Sequence, residues 1–198
     1  DCFFSKKDYE KAIEAYEKAE KINGIERLEE ISFQKGLTYI KLQDYEKARE
    51  NFRKIYELYQ SENSDEAYYY VGRCFFLEEN YSKVLDHLIL FNEKYPNSSR
   101  NAAVLFSIAD SYYNLKNYDQ AKNYYQKVLR EAKDQVLIQQ ALNGLEWSFL
   151  QSGNLKEAES EIDRLYSIMA DQELKESIGL VKAHILIKAG KEDEAIRL

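Results

Sequence analysis

Asn117-Tyr118-Asp119-Gln120-Ala121-Lys122-Asn123-Tyr124-Tyr125-Gln126-Lys127-Val128-Leu129 is the stretch whose reading decides the fold, because imperfect copies of it recur along the chain. Asp8-Tyr9-Glu10-Lys11-Ala12, Asp44-Tyr45-Glu46-Lys47-Ala48, Asn80-Tyr81-Ser82-Lys83-Val84, Asn154-Leu155-Lys156-Glu157-Ala158 and Lys191-Glu192-Asp193-Glu194-Ala195 repeat its start. The final residues of the six copies are 36, 36, 37, 37 and 37 apart. A fixed period of this size marks stacked supersecondary units.

Each copy places a short polar residue where it can cap a helix, then an aromatic or apolar side chain, then a small residue. Four residues beyond the small one come Tyr16, Phe52, Leu88, Tyr125 and Ile162, and three further Ala19, Ile55, Phe91, Val128 and Leu165. That spacing puts one apolar stripe on a helix. Twelve residues before each small residue stands Gly36, Gly72, Ala109, Glu146 or Ala183, followed three later by Tyr39, Phe75, Tyr112, Phe149 or Leu186. Every period is therefore a helix hairpin with a small contact point on each helix, where two backbones can cross closely. Each hairpin leaves an apolar face that only the next hairpin can cover, so the expected fold is an all-α solenoid of stacked antiparallel hairpins.

Composition agrees. The chain has 198 residues, 44% of them hydrophobic and 32% charged with both signs mixed, while 7 Gly and 1 Pro leave little of the turn chemistry that many-stranded sheets need. A net charge of -7 argues against a nucleic-acid partner, which requires clustered Lys and Arg. No apolar run reaches the roughly 20 residues of a membrane span, so membrane insertion by this fragment is not expected. Cys2 and Cys74 form no CxxC or Cys/His group, and His87 and His184 lack partners at metal-ligand spacing. No metal site, cofactor or catalytic constellation is expected, because there is no Ser/His/Asp, Cys/His, HExxH or Gly-rich phosphate loop. His87 occupies a flank position that other copies fill with Ala15, Asn51, Tyr124 and Glu161, which reads as tolerance.

Ile22-Asn23-Gly24-Ile25, Ser61-Glu62-Asn63-Ser64-Asp65, Pro96-Asn97-Ser98-Ser99 and Lys133-Asp134-Gln135 read as the connectors between hairpins. None has the length or composition of a domain linker, so residues 1–198 read as a single array of five to six repeats. Residue 1 falls late in a first helix and Leu198 early in a second, and the array is expected to be part of a longer protein.

The order small, aromatic, small, aromatic, with Pro96 eight residues after Leu88, resembles the tetratricopeptide repeat family over essentially the whole chain. The resemblance implies a right-handed superhelix whose concave groove, lined by first helices, binds a protein or peptide segment. Glu146 departs from the pattern, which puts Ala or Gly there, so its carboxylate is expected to loosen the fifth hairpin or to reach solvent or a Lys. The 36 to 37 spacing, the Lys94-Tyr95-Pro96-Asn97-Ser98 turn and the Gly144-Leu145-Glu146-Trp147 segment are similar in style to bacterial envelope proteins, the outer-membrane assembly lipoproteins and the Tol-Pal coordinator. That likeness points to the periplasm or envelope, with the cytoplasm as the alternative.

Projected onto the family's groove, the partner-binding positions are Phe33, Leu37, Tyr69, Arg73, Phe76, Asp110, Tyr113, Asn143, Trp147 and His184. The family's Lys and Asn clamp for a terminal carboxylate is absent, since the corresponding positions carry Phe33, Leu37, Tyr69 and Arg73. The groove is aromatic instead, and Trp147 and Arg73 are its leading contacts, being of the residue types enriched at binding hot spots. The competing reading of each aromatic, above all Phe33 and Phe106, is packing between hairpins. Two further functions stay open at this point: a structural or oligomerisation arm, and a helical accessory region of an enzyme whose catalytic domain lies elsewhere.

Overall fold

A computed structural model describes residues 8–22, 27–59, 61, 63–168 and 171–198. Cys2 and parts of the first two connectors lie outside the described residues. The chain forms two compact units, residues 1–101 and 102–198. Among the described residues every regular element is helical.

Unit one contains α1 (Tyr9–Ile22), α2 (Leu28–Lys41), α3 (Tyr45–Lys54), a π-helical turn (Ile55–Tyr59), α4 (Ser64–Leu77), α5 (Tyr81–Leu88) and α6 (Phe91–Lys94). Unit two contains α7 (Asn101–Asn114), α8 (Tyr118–Glu131), α9 (Gln135–Ser152), α10 (Leu155–Ile168), α11 (Gln172–Lys188) and α12 (Glu192–Ala195), with Asn101 itself on the boundary. Successive helices pack in chain order within each unit, and first helix α9 also meets first helix α11. These are the stacked hairpins that the period requires.

The small residues do what their spacing predicts. Ala48, Ala121 and Ala158 have no exposed surface, nor do Phe52 and Ile162, and Tyr125 is 1% exposed. A Cβ built on Gly36 would lie 2.6 Å from the Phe52 ring, and one on Gly72 would lie 2.6 Å from Leu88, so these crossings are closed to any larger residue. The caps follow as well: Asp44, Asn80, Asn117 and Asn154 each accept a hydrogen bond from the backbone N–H three residues on. The sixth copy differs, for Lys191 makes no side-chain cap and instead pairs with Glu159 at 2.8 Å.

Between the helices of each hairpin, one residue takes a left-handed backbone. Gln43, Glu79, Lys116, Gly153 and Gly190 have φ of 60°, 57°, 60°, 73° and 74°. At four of these turns the next N–H reaches back five residues, from Asp44, Asn80, Asn117 and Lys191 to the carbonyls of Tyr39, Phe75, Tyr112 and Leu186, each at 2.9 Å. This satisfies a carbonyl that the ending helix leaves free.

Three local readings change. The connector after α3 is shorter than its sequence implied, because Ser64 and Asp65 already belong to α4. The second helix of the second hairpin widens into the π turn, and that of the third is interrupted at Ile89-Leu90 between α5 and α6. Ile55 and Phe91 remain fully buried through both irregularities, while Leu58, Ile89 and Leu90 are turned out to 70%, 44% and 52% exposure. Pro96 follows the end of α6 as expected, with Tyr95 as the residue that leaves the helix.

Polar links one period apart tie hairpins within each unit. Ser61 and Asn63 donate to Glu29 at 2.6 and 2.9 Å, Ser98 donates to Asp65 at 2.5 Å, and Arg100 pairs with Glu66. In unit two Gln126 donates to Glu161 at 3.2 Å, while buried Lys122 lies 3.8 Å from the Glu157 carboxylate and over the Phe149 ring.

Candidate functional site

The residues projected onto the groove come from α2 and α4 in unit one and from α7, α9 and α11 in unit two. On α2, Phe33 is half-buried and set edge-on against Phe52 and Tyr70, with centroids 5.5 and 5.4 Å away, and Leu37 is also half-buried. On α4, Tyr69 is buried with the Arg100 guanidinium 5.9 Å from its ring, Phe76 packs edge-on against Tyr81, and Arg73 is exposed. Phe33 and Tyr69 thus belong substantially to the packing, and Arg73 is the open side chain of this set. A surface cavity of 390 Å³ borders Phe33, with Glu29, Glu30, Asn63 and Glu66 around it.

In unit two the balance is different. Trp147 on α9 is 55% exposed although it is the largest side chain in the chain's repertoire. Asn143, one turn earlier, is exposed and accepts from Gln139 at 3.1 Å. Asp110 on α7 is half-buried, and the Tyr125 hydroxyl of α8 donates to its Oδ1 at 2.5 Å. Burial pushes the Asp110 carboxyl above the usual range, partly offset by that hydrogen bond. Tyr113 rests edge-on against Tyr118, and Phe106 packs against Tyr125 as its packing reading anticipated.

Sequence reasoning missed one member of this face. Glu146 was expected to loosen its hairpin or to find solvent or a Lys, but its carboxylate lies 3.1 Å from Nδ1 of His184, 38 residues away on α11. The side chain of Glu146 is 19% exposed and that of His184 62%. The departure of Glu146 from the small-residue pattern was the only available signal; its partner depended on the stacking of α9 on α11.

His87 also needs correcting. Its flank position is not simply tolerant: the imidazole is half-buried, stacked on Tyr68, and held neutral by burial with its pKa lowered to about 4. Among the described residues there is no group of three or more His, Cys, Asp and Glu side chains that could hold a metal ion, and no helix is long and apolar enough to cross a membrane.

Stacked hairpins with small-residue crossings and a side-chain-rich first-helix face can be compared directly with known repeats. Three segments match the tetratricopeptide repeat. They are residues 1–25, 29–62 and 102–135. No curated protein matches the chain. Among solved structures, the crystal structure of MamA is similar with a TM-score of 0.64 and 20% identity, over 98% of this chain and 96% of that one. The apo form of RapI gives a TM-score of 0.70 and 16% identity over 98% of this chain and 58% of its own. MamA MSR-1 gives 0.57 and 15% over 92% of each. These likenesses establish the all-helical, tetratricopeptide-like hairpin fold.

Proposed function

We propose that the chain is a non-catalytic scaffold that binds a segment of a partner protein on its first-helix face. The carrying observation is Trp147: an indole left 55% exposed on first helix α9, the largest of the exposed apolar side chains among the described residues. Leaving so much aromatic surface in water forgoes the burial energy of a large side chain, and that energy is recovered when a partner covers it. Trp and Arg also dominate binding hot spots, which makes exposed Arg73 the corresponding contact of unit one. The tetratricopeptide-repeat matches support the scaffold class. The style of the Lys94–Ser98 turn and the Gly144–Trp147 segment is the support for placing that scaffold in a bacterial envelope assembly.

The test is site-specific photocrosslinking in the native cell. A photoreactive phenylalanine analogue at position 147 should yield one dominant protein adduct, and the same analogue at exposed Asp86 on second helix α5 should not. Trp147→Ala combined with Arg73→Ala should abolish the adducted partner's capture while the melting temperature stays near wild type. Adducts only to further copies of this chain would favour an oligomerisation arm, and unchanged capture by the double variant would remove the groove reading.

A further inference from the structure

Three helices of unit two converge on one hydroxyl. The Tyr125 phenol of α8 fills the space that a side chain on Gly144 of α9 would occupy, and its oxygen donates to Oδ1 of Asp110 on α7. Asp110 and Gly144 therefore flank the same oxygen atom from two adjacent first helices. Phe106 and Tyr113 lie one turn to either side of Asp110 on α7, while Asn143 and Trp147 stand next to Gly144 and one turn beyond it on α9. Tyr125 is the one donor to the Asp110 carboxylate among the described residues, Asn114 donating to its backbone carbonyl instead, which leaves the second carboxylate oxygen at the half-buried surface without one.

The charges of this face all have one sign apart from histidine. No Lys or Arg occurs at positions 106, 110, 113, 143, 146, 147 or 184. Four lysines of unit two are committed elsewhere: Lys122 to Asp119, Lys182 to Asp163, Lys191 to Glu159, and Lys127 to the Tyr124 ring. Glu146 is engaged by His184, so Asp110 is the carboxylate left seeking a donor.

We propose that Asp110 anchors a basic side chain, Lys or Arg, of an otherwise apolar partner segment, with the aromatic side chains of α7 and α9 bordering the cation. The inference rests on the groove reading above and adds to it the chemistry of the occupant. A carboxylate fixed at one oxygen by Tyr125 presents the other with little loss of side-chain freedom, and a guanidinium or ammonium supplies the charge-assisted bond that half-burial leaves unmade. Flanking rings add attraction to a cation at low cost in desolvation. Burial holds the Asp110 carboxyl above its ordinary range, and only the Tyr125 hydrogen bond opposes it.

The experiment uses three fluorescein-labelled peptides of one extended design, alternating Leu and Ser around a central Arg, citrulline or Glu. Anisotropy is measured against the full chain and against Asp110→Asn and Trp147→Ala. Asn keeps an acceptor for Tyr125, and a melting curve of each variant verifies the fold. The Arg peptide should bind about tenfold more tightly than the citrulline peptide, and the Glu peptide most weakly. Asp110→Asn should erase the Arg preference while leaving citrulline affinity unchanged, and Trp147→Ala should weaken all three. Equal binding of Arg and citrulline peptides that still depends on Trp147 overturns the basic-anchor inference alone. Failure of all three peptides to bind, or binding indifferent to Trp147, overturns the groove reading and the inference with it.

Discussion

Tyr68 and His87 hold each other by ring and backbone at once. Their rings stack at 3.9 Å with 17° between planes, the Tyr68 hydroxyl donates to the His87 carbonyl at 3.0 Å, and His87 Nε2 lies 2.9 Å from the Tyr68 carbonyl. A carbonyl only accepts, so Nε2 carries the proton and Nδ1 is the unprotonated nitrogen. Burial is the main cause of the lowered His87 pKa, with Arg53 and Lys94 adding to it and the Tyr68 carbonyl opposing it.

The stability consequence has a definite sign. The folded-state pKa of His87, about 4, lies below the ordinary 6.5, so the unfolded chain takes up a proton in that window and the folded chain does not. Stability contributed by neutral His87 is full above pH 6.5 and falls as pH drops toward 4. Between pH 6.5 and pH 5 the loss is about 1.5 kcal/mol. Urea unfolding of wild type and His87→Gln across this range should show the slope in the former and little of it in the latter.

Gly36 and Gly179 sit in first helices and should respond oppositely to alanine. A methyl on Gly36 would strike the Phe52 ring at 2.6 Å, and Phe52 is fully buried with Tyr70 stacked on it at 5.0 Å. Gly36→Ala should cost about 1–3 kcal/mol as an overpacked crossing. Gly179 meets nothing within 4 Å, so Gly179→Ala should gain about 0.5–1 kcal/mol from helix propensity alone. Denaturation midpoints of the two variants decide this.

The left-handed turn residues give a further contrast. Lys116 holds φ of 60° at the position where Gly153 and Gly190 occur in later repeats. Lys116→Gly should stabilise by roughly 1 kcal/mol and Gly153→Ala should destabilise by a similar amount, because a Cβ in this region crowds the backbone. Thermal melts of the two variants give the signs.

Tyr125→Phe removes the one hydroxyl that Asp110 accepts from. The Asp110 carboxyl, already raised by burial, should titrate higher still, which carbon-detected NMR of the side chain would report. A raised folded pKa means stability lost as pH rises through it, so the variant should be weakened by about 1–2 kcal/mol at pH 7 and less at pH 3.

The hairpins were legible because their cause is local and periodic. Ala48, Ala121 and Ala158 announce close crossings by being small at a fixed interval, and the caps at Asp44, Asn80, Asn117 and Asn154 announce the second helices. The site was legible only in part. Of the positions that the tetratricopeptide resemblance implied, Trp147 and Arg73 are exposed but Tyr69 went into the packing, since helix spacing fixes a side chain's direction and not what arrives to cover it. The interruption at Ile89-Leu90 had no warning, because both residues suit a helix and Phe91 keeps its buried place regardless.

By itself the sequence determined the unit of construction: a helix hairpin, its period, its caps and its small contact points, all set by interactions within some forty residues. Tertiary structure alone decided which polar groups meet across that period. Glu146 finds His184, Tyr125 reaches Asp110, and His87 loses its charge against Tyr68, because burial and partner are properties of stacked helices rather than of any one.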